Sequence, residues 1–267
     1  MALIIKLIIG FALVYAAVVV LVAWRQRDIM YFPDPRRVTP TEARISEFSE
    51  VEIATPGGET IIAWHHPPAI DGGVTLLHFH GNGGSIAMRA ARYQMFANAG
   101  FGVLAVSYRG YGGSSGQPSE AGLINDGLAA YDWLAGKKAG PIALYGESLG
   151  TAVAVQVAAD RPIAALVLEA PANSLLEVAQ RAYPFLPVAW LMKDRFRSDQ
   201  RIAGIQAPIL MVHGRRDTVI PFDLGEKLFR LANEPKRFIA IDEAGHNDLW
   251  EHGMGNLAIT FLNEVSQ

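Results

Sequence analysis

One serine stands in a pattern that is typical of nucleophilic catalysis. Residues 146–150 read Gly-Glu-Ser-Leu-Gly, between the apolar run 142–145 and the small, apolar run 151–155. The first run predicts a buried strand and the second a helix packed on a sheet. A serine at such a turn has its Oγ exposed, and the new helix directs backbone N–H groups at any oxyanion formed there. We therefore predict that Ser148 is a nucleophile and that the N–H of Leu149 stabilises the oxyanion.

An acid and a base follow Ser148 in the chain. Asp217 comes directly after the predicted strand 208–212, and His246 directly after the predicted strand 237–241. Each alone has a structural interpretation, as a carboxylate that caps a turn or as a packed histidine. Together with Ser148 they give the order nucleophile, acid, base, which is the order of the α/β-hydrolases. We predict that His246 is the general base and that Asp217 orients it and stabilises its imidazolium.

A glycine-rich loop follows another predicted strand. Residues 78–85 read His-Phe-His-Gly-Asn-Gly-Gly-Ser, and the predicted strand 74–80 leads into them. A glycine-rich turn that enters a helix presents backbone N–H groups, which supply half of the oxyanion hole in an acyl-transfer site. A phosphate-binding loop is the alternative, but the Gly-Lys-Ser/Thr sequence that it needs is missing. Asn82 is therefore the predicted first donor of the oxyanion hole, and Leu149 is the second.

Strands and helices alternate along most of the chain. The predicted strands are 51–55, 60–66, 74–80, 101–106, 142–145, 163–169, 208–213 and 237–241. The predicted helices are 85–99, 120–134, 148–159, 223–231 and 256–265. This alternation predicts an α/β protein with a mostly parallel sheet and helices on both faces. Because such sheets bind ligands at the carboxyl ends of their strands, we expect the polar residues after the strands to meet there.

Composition limits the classes of function. The 267 residues, 51% of them hydrophobic, are enough for one substantial domain. The net charge of −3 and the lack of a basic stripe with interleaved aromatics argue against nucleic-acid binding. The chain has no cysteine, which excludes disulfides, cysteine-based zinc sites and a thiol nucleophile. His78 and His80 alternate on one strand, but no third ligand has a recognisable spacing, so we predict neither a metal nor a cofactor.

The N-terminal segment is apolar on every side. Residues 7–24 form a stretch of 18 residues without a charge, close to the length that crosses a hydrocarbon core of about 30 Å. Lys6 lies before this stretch, and Trp24 at its end is suited to the membrane interface. We predict an N-terminal transmembrane anchor in residues 1–27 and a catalytic domain in residues 28–267. A cleaved signal peptide is the alternative, although no clear Ala-x-Ala site follows.

Positive charges are unequal on the two sides of this segment. Arg25, Arg27, Arg36 and Arg37 follow it, against Lys6 and the α-amino group before it. The positive-inside tendency then places a single-pass protein with its catalytic domain in the cytoplasm. We also expect the chain that begins at Arg25 to be soluble and active. The sequence indicates no particular oligomeric state.

Residues 173–204 interrupt the alternation and predict a small cap over the site. They hold two prolines and several aromatic and aliphatic side chains, which suit the binding of an acyl chain. Among them we expect Tyr183, Phe185 and Trp190 to bind substrate. The alternative is that part of these side chains only pack the insertion onto the sheet.

Several motifs resemble those of one branch of hydrolases. Residues 108–120 read Y-R-G-Y-G-G-S-S-G-Q-P-S-E, which looks like the signature of the BEM46-like branch of the α/β-hydrolases. That branch also has an H-G-N loop, here residues 80–82, and a G-E-S-L-G turn, here residues 146–150. Its H-G-x-x-D-x-x-[IV]-P segment is similar to residues 213–221, and its final G-H-N to residues 245–247. The resemblance covers nearly the whole chain after the N-terminal segment.

The resemblance implies an α/β-hydrolase fold and a serine hydrolase of esters or thioesters of lipids, including lysophospholipase-like and protein-depalmitoylating relatives. It also implies a membrane span, which members often carry. We therefore expect a membrane-anchored serine hydrolase whose partners are a small-molecule or lipid ester and the membrane. A serine peptidase or amidase on the same fold is one alternative, and a catalytically idle membrane-anchored scaffold is another. For residues 108–120 a structural role is favoured over contact with substrate.

Overall fold

An eight-stranded sheet forms the centre of the computed structural model, which describes residues 1–137 and 140–265. The strands are β1 Ser49–Ala54, β2 Thr60–His66, β3 Thr75–Phe79, β4 Gly102–Ser107, β5 Ile142–Glu147, β6 Ala165–Glu169, β7 Ile209–Gly214 and β8 Lys236–Ile241. Their order across the sheet is β1-β2-β4-β3-β5-β6-β7-β8. The pairs β1–β2 and β2–β4 are antiparallel, and every pair from β4 to β8 is parallel. The prediction of a mostly parallel sheet is confirmed.

Helices cover both faces of this sheet. They are α1 Ala2–Met30, α2 Ala90–Asn98, α3 Glu120–Gly136, α4 Leu149–Asp160, α5 Leu175–Ala182, α6 Val188–Leu191, α7 Phe222–Leu231 and α8 Met254–Val265. On β5, Leu144 packs into the cluster that holds Val153 of α4, whereas Tyr145 packs into the cluster that holds Phe96 of α2 and Phe261 of α8. Successive side chains of a strand point to opposite faces, so each face buries its own apolar layer. Residues 138–139 and 266–267 of the predicted domain 28–267 lie outside the described residues.

The order of the strands creates one crevice at the sheet edge. The chain goes from β3 to β4 on one side of β3, and β5 then pairs with β3 on the other side. Such a reversal of direction leaves a crevice at the carboxyl ends of the two strands, where ligands of open α/β sheets bind. The loop after β3 and the turn after β5 meet in this crevice.

Helix α1 is long, apolar and largely exposed. It has 29 residues with a mean hydropathy of 2.7 in its most apolar window, and none of its residues is buried. At about 1.5 Å per residue it is roughly 43 Å long, more than a hydrocarbon core needs. In the described part of the chain it is the one helix with the length and composition to cross a membrane. It runs to Met30, three residues past the predicted boundary.

The chain after α1 is tied to the loop after β3. Phe32–Pro33 pairs in parallel with Gly83–Gly84, and the Asp34 N–H donates to the Gly84 carbonyl at 3.0 Å. Residues 173–204, the predicted cap, contain α5, α6 and two single turns of 3₁₀ helix, Ser198–Gln200 and Ile202–Gly204. The C-terminal end of α1, the loop after β3 and this cap segment therefore converge over the same end of the sheet.

Candidate active site

Ser148 is the single residue between β5 and α4, and its backbone is strained. Its φ of +51° lies in the left-handed region, which costs a non-glycine residue on the order of 1–3 kcal/mol. The turn is tight because strand and helix approach closely. A Cβ at Gly150 would lie 2.1 Å from the Phe79 carbonyl oxygen, and one at Gly146 would lie 2.5 Å from the Thr151 Cα. Both glycines therefore leave room for the close approach of strand and helix.

The structure brings Ser148, His246 and Asp217 together. The Ser148 Oγ lies 2.9 Å from the His246 Nε2, and the His246 Nδ1 lies 2.7 Å from the Asp217 Oδ2. The other oxygen of Asp217 accepts the N–H groups of Val219 and Ile220, both at 2.8 Å. These bonds fix the carboxylate in its loop, so its second oxygen faces the imidazole.

A second histidine, His213 at the end of β7, also contacts the carboxylate. Its Nε2 lies 3.2 Å from the Asp217 Oδ2 and 3.0 Å from the Ile220 carbonyl oxygen. Burial raises the pKa of Asp217, but the hydrogen bonds from His213 and His246 outweigh burial and hold that pKa well below its ordinary value. His213 therefore packs beside the carboxylate and hydrogen-bonds to it.

Asn82 lies beside Ser148 and makes three hydrogen bonds. Its side-chain amide donates to the Met30 carbonyl oxygen at 2.9 Å. Its backbone carbonyl oxygen accepts hydrogen bonds from the Phe32 N–H, at 3.1 Å, and from the Tyr111 hydroxyl, at 2.8 Å. Asn82, Ser148 and Leu149 line the same cavity. Leu149 is the first residue of α4, so its N–H is one of those that lack an acceptor within the helix.

An ion-pair cluster below the serine joins the turn to the Asn82 loop. Arg89 donates to both oxygens of Glu147, at 2.8 and 3.0 Å, and also to the carbonyl oxygens of Gly83 and Ser85. Burial raises the pKa of Glu147, but Arg89 outweighs burial and brings that pKa down to about 2. Glu147 thus has a structural partner in Arg89 that the sequence did not indicate. No spacing pattern points to Arg89, which lies in the 3₁₀ turn after the glycines.

Glu169, at the end of β6, is the second carboxylate of this region. Its Oε2 accepts the Tyr145 hydroxyl at 2.5 Å and the Trp250 indole N–H at 3.0 Å. Burial and the nearby Glu147 raise the pKa of Glu169 to about 7. The pKa values of the two glutamates are therefore shifted in opposite directions, because Arg89 pairs with Glu147 and not with Glu169.

The crevice opens into a cavity of about 440 Å³ above Ser148. Its walls come from the cap, the end of α1 and the loop after Asp217. The lining residues are Val22, Ala23, Gln26, Ile29, Met30, Asn82, Ser148, Leu149, Leu175, Val178, Ala179, Ala182, Tyr183, Leu186, Val188, Leu191, Met192, Thr218, Val219 and Ile220. Among these described residues none carries a charge. The arrangement joins a polar end at Ser148 to a long apolar chamber.

Two of the three residues expected to bind substrate do not line this cavity. Tyr183 does, but Phe185 and Trp190 have 68% and 87% of their surface exposed. They lie in the loop after α5 and in α6. Their contact with substrate stays a prediction, since aromatic composition alone does not tell which side of a short insertion faces the site.

His78 and His80 are packing residues. Both are buried, and burial lowers the pKa of each to about 3. The His78 ring stacks on Tyr145, and the His80 ring packs against Tyr108 and Tyr111. Residues 1–137 and 140–265 contain no group of three or more histidine or carboxylate side chains placed to hold a metal ion.

The chain is similar to several known proteins. A family model described as serine aminopeptidase, S33, matches residues 73–199. Uncharacterized protein Rv2307c of Mycobacterium tuberculosis is 40% identical over 241 residues, covering 89% of this chain and 86% of that protein. The lysophosphatidylserine lipase ABHD12 of Danio rerio is 38% identical over 183 residues, covering 60% of this chain and 48% of the relative. The Pyrococcus furiosus esterase Pf2001 superposes with a TM-score of 0.73 at 21% identity, covering 89% and 98% of the two chains.

The chain belongs to the α/β-hydrolase superfamily. The predicted fold class is thereby confirmed. In this α/β-hydrolase, residues 108–120 form a loop that supports the site from below. Arg109 pairs with the buried Asp126 at 2.7 Å, Ser114 accepts the Ile62 N–H at 2.8 Å, and Tyr111 donates to Asn82. These contacts agree with the structural role favoured for the loop.

Proposed function

We propose that the protein is a membrane-anchored serine hydrolase that cleaves carboxylic esters or thioesters of lipid-like or acyl substrates. The observation that carries this proposal is the hydrogen-bonded chain from the Ser148 Oγ through His246 to Asp217, at 2.9 and 2.7 Å, at the mouth of an apolar cavity. A nucleophile within reach of a base that a third group orients is the requirement of covalent acyl transfer. In the proposed assignment Ser148, His246 and Asp217 are the catalytic residues.

The acylation step follows from these positions. The Ser148 Oγ attacks the acyl carbonyl carbon while the His246 Nε2 takes the hydroxyl proton. The negative charge that develops on the carbonyl oxygen is stabilised by the backbone N–H groups of Leu149 and Asn82, and each such donor contributes on the order of 3 kcal/mol to the transition state. When the tetrahedral intermediate collapses, the bond to the leaving oxygen or sulfur breaks. His246 then returns the proton to the leaving group, and the acyl group stays on Ser148.

Deacylation repeats the same chemistry with water. His246 takes a proton from a water molecule, whose oxygen attacks the acyl carbon, and the Ser148 oxygen leaves and regains that proton. The carboxylic acid is released. Asp217 remains ionised throughout, because its lowered pKa keeps it able to hold the Nδ1–H of His246 and to stabilise the imidazolium.

The chamber favours an acyl group over a peptide. None of the described lining residues is charged, so the chamber offers no carboxylate that would pair with the α-amino group of a peptide. An apolar chamber with a few polar groups at one end instead suits an acyl chain whose carbonyl lies at Ser148. The similarity to a lysophosphatidylserine lipase also supports ester substrates. The description of the family model, a serine aminopeptidase, makes amide hydrolysis the second candidate.

Anchoring is the second part of the proposal. Helix α1 is long and apolar enough to span a bilayer, and four arginines follow its uncharged stretch where one lysine precedes it. We propose that α1 is the membrane anchor and that the domain from residue 28 lies on the cytoplasmic side.

The test of the catalytic assignment is hydrolysis of p-nitrophenyl esters of graded acyl length by the full chain in detergent micelles. We expect turnover that depends on acyl length, loss of turnover in Ser148→Ala, and labelling of the wild type by a fluorophosphonate. The matched control is Ser115→Ala, a serine in the loop 108–120 that does not line the cavity. Wild-type turnover in Ser148→Ala would refute the assignment. A peptide p-nitroanilide cleaved faster than every ester would favour the amidase.

A further inference from the structure

Helix α1 has one face that is covered by the domain, although the helix as a whole is exposed. The half-buried residues of its second half share this face and are Val19, Val22, Ala23, Gln26 and Met30. They recur at intervals of three and four, as residues on one side of a helix do. Their neighbours Val20, Leu21 and Trp24 are 56–73% exposed. The covered face is the wall that α1 gives to the cavity above Ser148.

Polar contacts hold α1 against the cap at two heights. Near its end, the Arg27 side chain donates to both oxygens of Asp194, at 2.8 and 3.0 Å, and the Gln26 side chain accepts the Lys193 N–H at 2.7 Å. Near its middle, the Tyr15 hydroxyl donates to the Phe185 carbonyl oxygen at 2.7 Å. The two heights are about 17 Å apart along the helix. The cap segment thus runs beside α1 for several turns and does not only cover its end.

These contacts fix the depth of the cap if α1 spans a bilayer. Tyr15 lies near the middle of the uncharged stretch 7–24 and about 13 Å before Trp24 along the helix axis. The backbone of Phe185 is hydrogen-bonded to it, so this part of the cap lies at the depth of the hydrocarbon. The side chains of Phe185 and Trp190 are the most exposed aromatics of the cap. Large apolar side chains that would be costly in water are suited to contact with lipid chains.

The position of Met30 on α1 also gives the depth of Ser148 relative to the bilayer. Met30 is hydrogen-bonded to Asn82, beside Ser148, and lies six residues or about 9 Å past Trp24. The headgroup layers together add about 10–15 Å to a core of ~30 Å, so Met30 lies close to the headgroup level. Val22 and Ala23 lie below it, at the end of the hydrocarbon. The cavity therefore runs from headgroup depth at Ser148 into the depth of the acyl chains.

We propose that the covered face of α1 is a wall of the substrate site, and that the acyl chain of a bilayer-resident ester enters between α1 and the cap directly from the membrane. The ester carbonyl then stays at headgroup depth, where Ser148 lies, and the chain passes along Val22 and Ala23. Helix α1 is in this account a determinant of acyl-chain specificity as well as an anchor. The proposal rests on the proposed hydrolase activity and on α1 spanning the bilayer.

Two valines that lie two positions apart on α1 give a matched test of the wall. Val22 lines the cavity, whereas Val20 is 67% exposed and does not. The full chain in phosphatidylcholine vesicles is assayed with a long-chain and a short-chain p-nitrophenyl ester. Val22→Trp is expected to lower the ratio of long-chain to short-chain kcat/KM at least tenfold, because the indole fills the chamber. Val20→Trp is expected to keep the wild-type ratio.

The outcomes separate this proposal from the proposed function. A wild-type ratio in Val22→Trp, or an equal fall in both variants, would overturn the wall. Ala23→Leu, a smaller change on the same face, replaces Val22→Trp if that variant fails to fold, and the same fall or lack of it decides. Failure of a fluorophosphonate to label Ser148 in the wild type would instead refute the hydrolase assignment itself.

The depth of the cap is tested separately by site-directed spin labelling. The chain has no native cysteine, so the label reacts with the introduced cysteine alone. Phe185→Cys carrying a nitroxide is compared with Asp71→Cys, in an exposed turn of the domain. In vesicles the label at position 185 is expected to be relaxed more by oxygen, which concentrates in the hydrocarbon, than by a water-soluble nickel chelate. Equal access of the chelate to both labels would overturn entry from the bilayer.

Discussion

The side-chain amide of Asn82 donates a hydrogen bond to the carbonyl oxygen of Met30, at 2.9 Å. Met30 is the last residue of α1, and Asn82 is the proposed first donor of the oxyanion hole. The pairing of Phe32–Pro33 with Gly83–Gly84 continues this junction into the next residues. The end of the apolar helix therefore belongs to the framework that holds the loop beside Ser148.

Removal of this bond should slow catalysis without unfolding the protein. In Asn82→Ala the backbone N–H stays, but the loop loses its attachment to α1. We expect kcat for a short ester to fall at least about tenfold, and less than the ~10²–10³ that loss of a whole oxyanion donor costs. The measurement is kcat and the melting temperature of both proteins in micelles.

Asn98→Ala is the matched control, since the Asn98 amide oxygen accepts from the Gln94 side chain on the exposed surface of α2. It should keep the kcat of the wild type. An unchanged kcat in Asn82→Ala would show that the loop is positioned without α1, and the link from Met30 to the oxyanion hole would have to be abandoned.

The ion pair between Arg27 and Asp194 should contribute more to the stability of the protein than the pair between Arg25 and Asp28. Asp194 is almost fully buried and its partner is half exposed, whereas Arg25 and Asp28 are both more than half exposed. Loss of the partner of a buried carboxylate is costly, while an exposed pair contributes little. We expect Arg27→Met to lower the free energy of unfolding by about 1–2 kcal/mol. Arg25→Met should leave it within about 0.5 kcal/mol of the wild type.

Thermal unfolding in micelles checks this pair of variants, because each kcal/mol shifts the Tm of a domain of this size by roughly 2–4 °C. Equal shifts in the two variants would mean that the contact between α1 and the cap does not persist in solution. The comparison also bears on the expectation that the chain beginning at Arg25 is active. That truncated chain keeps Arg27 but loses Val22 and Ala23 of the cavity wall.

The sequence predicted the polar residues at strand ends better than the residues between elements. Ser148, Asp217 and His246 each follow a strand, and parallel strands end at one edge of a sheet, so their proximity could be foreseen. Arg89 could not, because its bond to Glu147 joins a short turn to a strand end without any periodic signal. The covered face of α1 was hidden for a related reason. A helix that is apolar all round shows no pattern by which a domain contact can be recognised.

Glu147 should be a stability residue. Its side chain and that of Arg89 are 15% and 10% exposed, so Glu147→Ala leaves a nearly buried guanidinium without its bidentate partner. We expect the free energy of unfolding to fall by about 3–5 kcal/mol. Glu52→Ala is the control, since the Glu52 pair with Arg37 is about half exposed and should contribute less than about 1 kcal/mol. Urea unfolding of both variants measures the two values, and a similar cost in each would contradict the role of the buried pair.

Glu169 should make the stability depend on pH. Burial and Glu147 raise its pKa in the folded protein to about 7, from 4.5 for an ordinary glutamate. Below pH 4.5 the carboxyl is protonated in the folded and the unfolded chain, so its titration does not change the free energy of unfolding. As the pH rises from 4.5 to 7 the unfolded chain ionises first, and this group lowers the stability by at most about 1.4 kcal/mol per pH unit.

Glu169→Gln removes that titration, while its amide oxygen still accepts from Tyr145 and Trp250. The difference in Tm between the variant and the wild type should therefore become more positive from pH 5 to pH 8. This direction is opposite to that expected for a carboxylate stabilised by an ion pair, because removal of such a carboxylate lowers the stability more at high pH. Melting curves of both proteins at the two pH values decide. A difference that stays constant or becomes more negative would mean that Glu169 is ionised in the folded protein at pH 5, with Arg92 as its partner at 3.8 Å.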